Sequence, residues 1–210
     1  MIAKFPKLLM LAAVVALTAS CGDLVRQGRS PVMLVVKSLE AASGADPGKF
    51  SGVLFSDVIT LKTKPDPCST ISPCPSVFAD PATVTLAAQL KDQGSLGVAV
   101  EPSPTNQVTI TRYHVEYRRA DGRNTPGVDV PFAFDSAITF TVVPGGDADK
   151  GFEIVRHAAK EEAPLLGLSQ SGNLISTIAT VTFYGHDQAG NDVSVSGDIG
   201  INFGDFGDPN

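Results

Sequence analysis

The chain has 210 residues, a formal charge of −6, no tryptophan, 20 glycines and 15 prolines. The acidic balance argues against nucleic acid as a partner and against docking on anionic lipid through basic patches. Abundant glycine, proline and valine with few aromatics suit strands and turns better than helices.

Residues 1–20 read as a signal peptide. Lys4 and Lys7 precede an apolar run of ten residues at 8–17, and small residues follow. Ten residues are too few for a membrane-spanning helix, which needs about twenty. Removing 1–20 takes away two lysines and no acids, which moves the charge from −6 to −8 and leaves 190 residues. That length fits one large β domain or two small ones.

The end of this segment, Thr18-Ala19-Ser20-Cys21, resembles the lipobox of bacterial lipoproteins. There the cysteine becomes the first mature residue and carries acyl chains. Two alternatives stay open: plain secretion, and a cysteine in an uncleaved segment. The resemblance implies lipidation at Cys21 with palmitate-type chains, each worth about 0.8 kcal/mol per buried CH2, so that the membrane is a partner through the lipid. It also implies a cell-envelope location. Gly22 after the cysteine implies outer-membrane delivery if the host is Gram-negative. Residues 21–30 then form a lipidated tether. Its nine residues beyond Cys21 span at most about 30 Å, and a compact body of this size has a radius of gyration of roughly 16 Å. The body, 31–210, is therefore expected close to its membrane.

Strand signals follow in series. Residues 32–39 form the first, around the apolar centre Val32 to Val36. Residues 41–48 are a small-residue turn. In 50–61 the alternation of Val53, Phe55, Val58 and Ile59 slips, which predicts a break. The stretch 64–75 holds four prolines and resists regular structure. Within it stand Cys68 and Cys74. With Cys21 set aside, an oxidising compartment predicts a disulfide between them. Closing such a short loop is worth about 2.4 kcal/mol on the chain-entropy account. A redox pair or metal ligands are the alternatives, but the spacing is not C-x-x-C and no histidine lies nearby.

Residues 83–90 predict a strand with Val84, Leu86 and Ala88 on one face. Residues 94–104 read as a loop with a short edge strand, and a sub-boundary between two small domains would fall near 101–107. Residues 108–119 predict a central strand. Val108 and Ile110 share one parity and Tyr113, Val115 and Tyr117 the other, so a bulge is expected near Thr111. Residues 120–129 are a polar loop. Residues 130–143 alternate through Val130, Phe132, Phe134, Ile138, Phe140 and Val142. Residues 145–150 are read as a turn, and 152–168 as a strand followed by a short helical turn. Residues 179–184 and 193–203 form two strands joined by 187–191, the second with one dry and one wet face. Strands at this spacing suggest a sandwich.

The stretch 181–193, VTFYGHDQAGNDV, resembles the last hairpin of bacterial immunoglobulin-like domains. The stretch 113–122, YHVEYRRADG, is similar to a middle strand of fibronectin type III-like domains. The fold class expected is therefore all-β: an antiparallel immunoglobulin-like β-sandwich, elaborated with extra strands from 31–100 and at most a short helical turn. Two stacked small domains are the alternative. The resemblance implies a binding or structural role more than catalysis.

Chemical signatures are sparse. No G-x-S-x-G, H-E-x-x-H or phosphate-binding glycine loop occurs. His114 lies on the polar face of its strand, His186 and Asp187 begin a turn where Gly190 can supply a positive φ, and His157 ends an uncertain strand. Asp147 and Asp149, and Asp205 and Asp208, lack the D-x-D-x-D-G pattern of a calcium loop. Lys160, Glu161 and Glu162 read as a solvated turn. No metal ligands, catalytic residues or cofactor are expected. Arg118, Arg119 and Arg123 around the 120–129 loop are the candidate contact surface for a carboxylate or an acidic sugar. The expected function is that of a lipid-anchored, non-catalytic cell-envelope protein with a binding or structural role toward a protein or glycan partner. An accessory subunit of an envelope assembly or transport system is the alternative, and a diverged hydrolase domain the second.

Overall fold

A computed structural model describes residues 28–92, 103–169 and 171–207. Cys21 and most of 94–104 lie outside the described residues. Ten strands occur among them: β1 (Val32–Ala41), β2 (Val53–Asp57), β3 (Thr60–Lys62), β4 (Cys74–Ser76), β5 (Asp80–Leu90), β6 (Val108–Arg118), β7 (Phe134–Val142), β8 (Asp147–Val155), β9 (Ile175–Asp187) and β10 (Asp192–Gly204). A four-residue helix, α1 (His157–Lys160), and the 3-10 turns Pro104–Asn106 and Leu165–Leu168 complete them.

One sheet has the order β1-β5-β8 and the other β2-β10-β9-β6-β7. All pairings are antiparallel except β2 with β10. The chain passes repeatedly from one sheet to the other, so that the two sheets build one sandwich. The expected all-β antiparallel sandwich with a short helical turn is thus the observed fold. Each sheet mixes strands from before and after residues 101–107. Of the strands in 31–100, β1, β2 and β5 belong to these sheets, and the ribbon β3-β4 is what is added.

One apolar core fills the space between the sheets. Val84 and Leu86 of β5 face Val115 of β6, Val181 and Phe183 of β9, and Ile201 and Phe203 of β10, all fully buried. The period-2 alternation of these strands puts their apolar residues on the inner face. Without tryptophan, the centre is a group of smaller rings. Tyr113 lies 5.0 Å from Phe152, which lies 5.4 Å from Phe183, both edge-on. Each buried tyrosine hydroxyl finds a carbonyl across the core: Tyr113 donates to Glu153 and Tyr117 to Ile154.

The parity flip in β6 is real. Its register with both β7 and β9 shifts between Ile110 and Arg112, leaving Thr111 and Arg112 exposed and Tyr113 turned inward. A second bulge lies in β1 between Val36 and Ser38. The break expected in 50–61 separates β2 from β3. Cys68 and Cys74 form the expected disulfide, with Cα atoms 5.3 Å apart, and staple the loop that leads into β4.

Two expectations need correction. The stretch 145–150 is not a turn, because β8 already begins at Asp147. Its polar residues suit a strand once their outward partners are seen, with Asp147 paired to Lys37 and Asp149 accepting from Thr85. The actual turn is centred on Gly145, at φ 78°. The strand expected from 130 starts only at Phe134. Residues 125–130 instead close a compact loop, and Phe132 lies exposed over Gly127. The expected loop with a short edge strand at 94–104 is not one of them, because 94–102 falls outside the described residues, and the 3-10 turn Pro104–Asn106 follows it.

Gly185 of β9 lies opposite Ile110, and a Cβ there would sit within 3 Å of the Thr109 carbonyl group. Gly185→Ala is expected to destabilise the protein by about 1–3 kcal/mol, because β6 and β9 must separate to admit the methyl group. A urea-denaturation midpoint equal to that of the parent would show that the strands are not so closely packed.

Candidate functional site

The sandwich has two unlike ends. Val108 at the start of β6 pairs with Asp187, and Arg118 at its end pairs with Ile178, so the ends are roughly 33 Å apart along that strand. The chain enters at the Asp187 end. Ser30 caps the Val32 amide, and the Pro31 carbonyl accepts from Lys91 beside it. The 120–129 loop, the disulfide loop and α1 all lie at the opposite end.

The expected arginine surface is only partly assembled. Arg119 and Arg123 both turn onto Asp121, at 2.7 and 2.8 Å, while Arg118 crosses the sheet to Asp198 at 2.9 Å. The two guanidiniums hold the Asp121 carboxyl well below the usual carboxylate range. Much of the loop's positive charge is therefore neutralised locally. Arg123 remains the most open of the three, with its side chain 64% exposed.

A second surface was legible only in pieces. The outer face of the five-stranded sheet carries the polar residues of β6, β9 and β10 in register. Arg112 stacks over Tyr184 at 3.8 Å and reaches Asp135, whose carboxylate also lies 3.2 Å from His114 Nδ1. Thr182 meets Ser196, and Thr180 donates to Asp198. Toward the Asp187 end this face holds a shallow groove of about 330 Å3 lined by Arg112, Tyr184, His186, Asp192 and Ser194. A guanidinium held flat on an aromatic ring beside hydrogen-bonding side chains is chemistry that can meet the polar groups of a sugar or a peptide. The β6 bulge creates it by turning Arg112 outward.

His186 and Asp187 part company. His186 lines the groove, while Asp187 turns inward and accepts from the backbone amides of Ala189 and Asn191 and from the Asn191 side chain. This is the expected turn chemistry, and Gly190 has φ 80°. Burial alone would raise the Asp187 carboxyl, but hydrogen bonds from Asn191, Ser30 and Ala189 outweigh it and hold the group below its ordinary value. His157 pairs with Glu161 at the surface.

The expectation of a solvated turn at 160–162 is overturned for Lys160. Its side chain is 0% exposed and lies 2.7 Å from Asp80 Oδ1, also 0% exposed. The Lys160 ammonium donates in addition to the Asp57 carbonyl at 2.7 Å. Asp80 Oδ1 further accepts from the Gly44 amide, and Oδ2 from the Ser56 hydroxyl. The reason is topological: α1 turns inward from the end of β8, and the next turn buries Leu165 and Leu168, which carries Lys160 under the sandwich. Burial raises the Asp80 carboxyl against the pull of the Lys160 charge, and both burial and the charge of Asp80 raise the Tyr117 hydroxyl.

Among the described residues no group of three or more histidines, cysteines or acids could hold a metal ion, and no helix is long and apolar enough to cross a membrane. No family model, curated protein or solved structure matches the chain.

Two outcomes follow from these contacts. Lys160→Met leaves Asp80 buried without its counter-charge and is expected to lower unfolding stability by about 3–5 kcal/mol, while the double variant Lys160→Met/Asp80→Leu loses less. Additive losses in denaturant titrations would contradict that coupling. For Asp187, the lowered carboxyl adds stability above the unfolded value of about 3.9, and the contribution is lost as pH falls through the folded value. Asp187→Asn should thus cost about 1–3 kcal/mol at neutral pH, with the gap closing in acid. A gap independent of pH would refute the assignment.

Proposed function

We propose that the chain is a lipid-anchored, non-catalytic protein of the cell envelope, held through Cys21 and binding a protein or glycan partner through its sandwich. The observation that carries the reading is the way the two halves meet. The lipobox-like segment ending at Cys21 is followed within nine residues by Ser30, which opens the body at one end of the sandwich. In a host with an outer membrane, Gly22 favours that membrane as the destination. The tether places the Asp187 end toward the bilayer and leaves the polar sheet face and the far end, with Arg118, Arg119 and Arg123, available to a partner.

A second reading, an accessory subunit of an envelope assembly, is favoured by apolar side chains exposed toward the far end. Ile71 is 96% exposed in the disulfide loop, Leu174 59% and Phe55 58%. Isolated exposed apolar residues are ordinary, but a contiguous patch marks a protein contact.

Cys21→Ser tests the anchor. The variant is expected to leave the membrane fraction, and unchanged membrane association on cell fractionation would sink the lipoprotein reading. Affinity capture from crosslinked membranes, together with a glycan array, tests the binding role. Loss of the captured ligand in Arg112→Ala would support the sheet face, and a blank result in both assays would count against a binding protein.

A further inference from the structure

We propose that Lys160 and Asp80 are joined by an intramolecular amide bond, a covalent link between α1 and the start of β5 formed from the chain's own side chains. The reacting groups are already in contact. Nζ lies 2.7 Å from Oδ1, and neither side chain is exposed to water. Fixing an amine against a carboxyl group in this way supplies the proximity that a reaction between free partners lacks.

The surroundings suit the chemistry as well as the contact. In water a carboxylate and an ammonium stay charged and inert toward one another. Out of water the charged forms are disfavoured, and burial raises the Asp80 carboxyl toward the acid that the reaction needs. One proton leaves Nζ for the carboxylate and comes to rest on Oδ2, giving a neutral amine and a neutral acid. The Nζ lone pair then attacks Cγ. Negative charge develops on Oδ1, which accepts from the Gly44 amide at 2.8 Å, the arrangement of an oxyanion-stabilising donor. Oδ2 departs as water, taking its own proton and one from Nζ. The Ser56 hydroxyl, 2.5 Å from Oδ2, is placed to relay that proton. The bond formed is Nζ–Cγ, the bond broken is Cγ–Oδ2, and no oxidant or reductant is required.

The product calls on the same partners once Nζ has closed on Cγ. Its single amide N–H retains the Asp57 carbonyl as acceptor, and its carbonyl oxygen retains the Gly44 amide as donor. Two buried charges are replaced by one satisfied amide, which removes the desolvation penalty that the ion pair carries.

The test uses the full-length protein purified from membranes, denatured, reduced and digested with trypsin before mass spectrometry. Trypsin does not cut after an acylated lysine, nor between Lys64 and Pro65. The expected product is therefore the segment 63–91 joined to the uncut segment 157–210, lighter than the two together by one water, with fragmentation placing the junction at Asp80 and Lys160. Free 63–91 together with complete cleavage after Lys160 would overturn the proposal. Asp80→Ala should restore that cleavage, whether or not the variant folds fully. Persistence of the joined product in Asp80→Ala would assign the bond to another acid and equally overturn it.

Discussion

Hydrophobic burial holds the two sheets together, but it is non-directional and does not by itself place the four segments that meet at the far end of the sandwich. The contact between Lys160 and Asp80 does. Each group, taken out of water, must be met by partners of the right kind, and those partners come from separate parts of the chain. Gly44 comes from the β1–β2 connection, Ser56 and the Asp57 carbonyl from β2, Asp80 from β5, and Lys160 from α1. The Asp57 carboxylate extends the set by accepting from Thr60 and from the Phe206 amide of the C-terminal segment. A side chain at position 44 would collide with Phe78 and the Ala79 carbonyl, so the glycine there allows the backbone to approach Asp80.

The polar face of the larger sheet depends on a different constraint, the bulge at Thr111. Period-2 alternation would put Arg112 on the same side as Val108 and Ile110, inside the core. One extra residue in β6 reverses the parity, so that Tyr113 enters the aromatic cluster and Arg112 lies on Tyr184. The opposite strand matches the irregularity with Gly185 beside Thr109. Core packing and the outer groove are therefore set by the same local slip.

Much of this can be read from residues alone, because it is local. The strands β5, β6, β9 and β10 announce themselves by alternation, the bulge by a change of parity, the Asp187 turn by its residue types, and the disulfide by two cysteines in a proline-rich loop. The misreadings arise where a long-range partner decides. Asp147 to Lys150 look like a turn until Lys37 and Thr85 are beside them. Phe132 looks like a core residue, but the loop closed between Thr125 and Val130 carries it outside. Lys160 stands next to two glutamates and has every local mark of a solvated residue. Its partners are 80 and 103 positions away in the chain, and only the flanking Ala158 and Ala159 hint that this segment turns inward. Arg118, Arg119 and Arg123 were legible as a cluster, but not the acids that divide them.

The direction of β1 has a mechanical meaning. The chain enters at the Asp187 end, and β1 runs from there to the far end while paired along its length with antiparallel β5. Were the tether pulled while the far end was held, the load would run parallel to these two strands and across their hydrogen bonds. The ladder from Val32 to Ala41 would then resist as a whole in shear, instead of opening one bond at a time like a zip. A body loaded in this geometry meets tension with a whole ladder of hydrogen bonds at once.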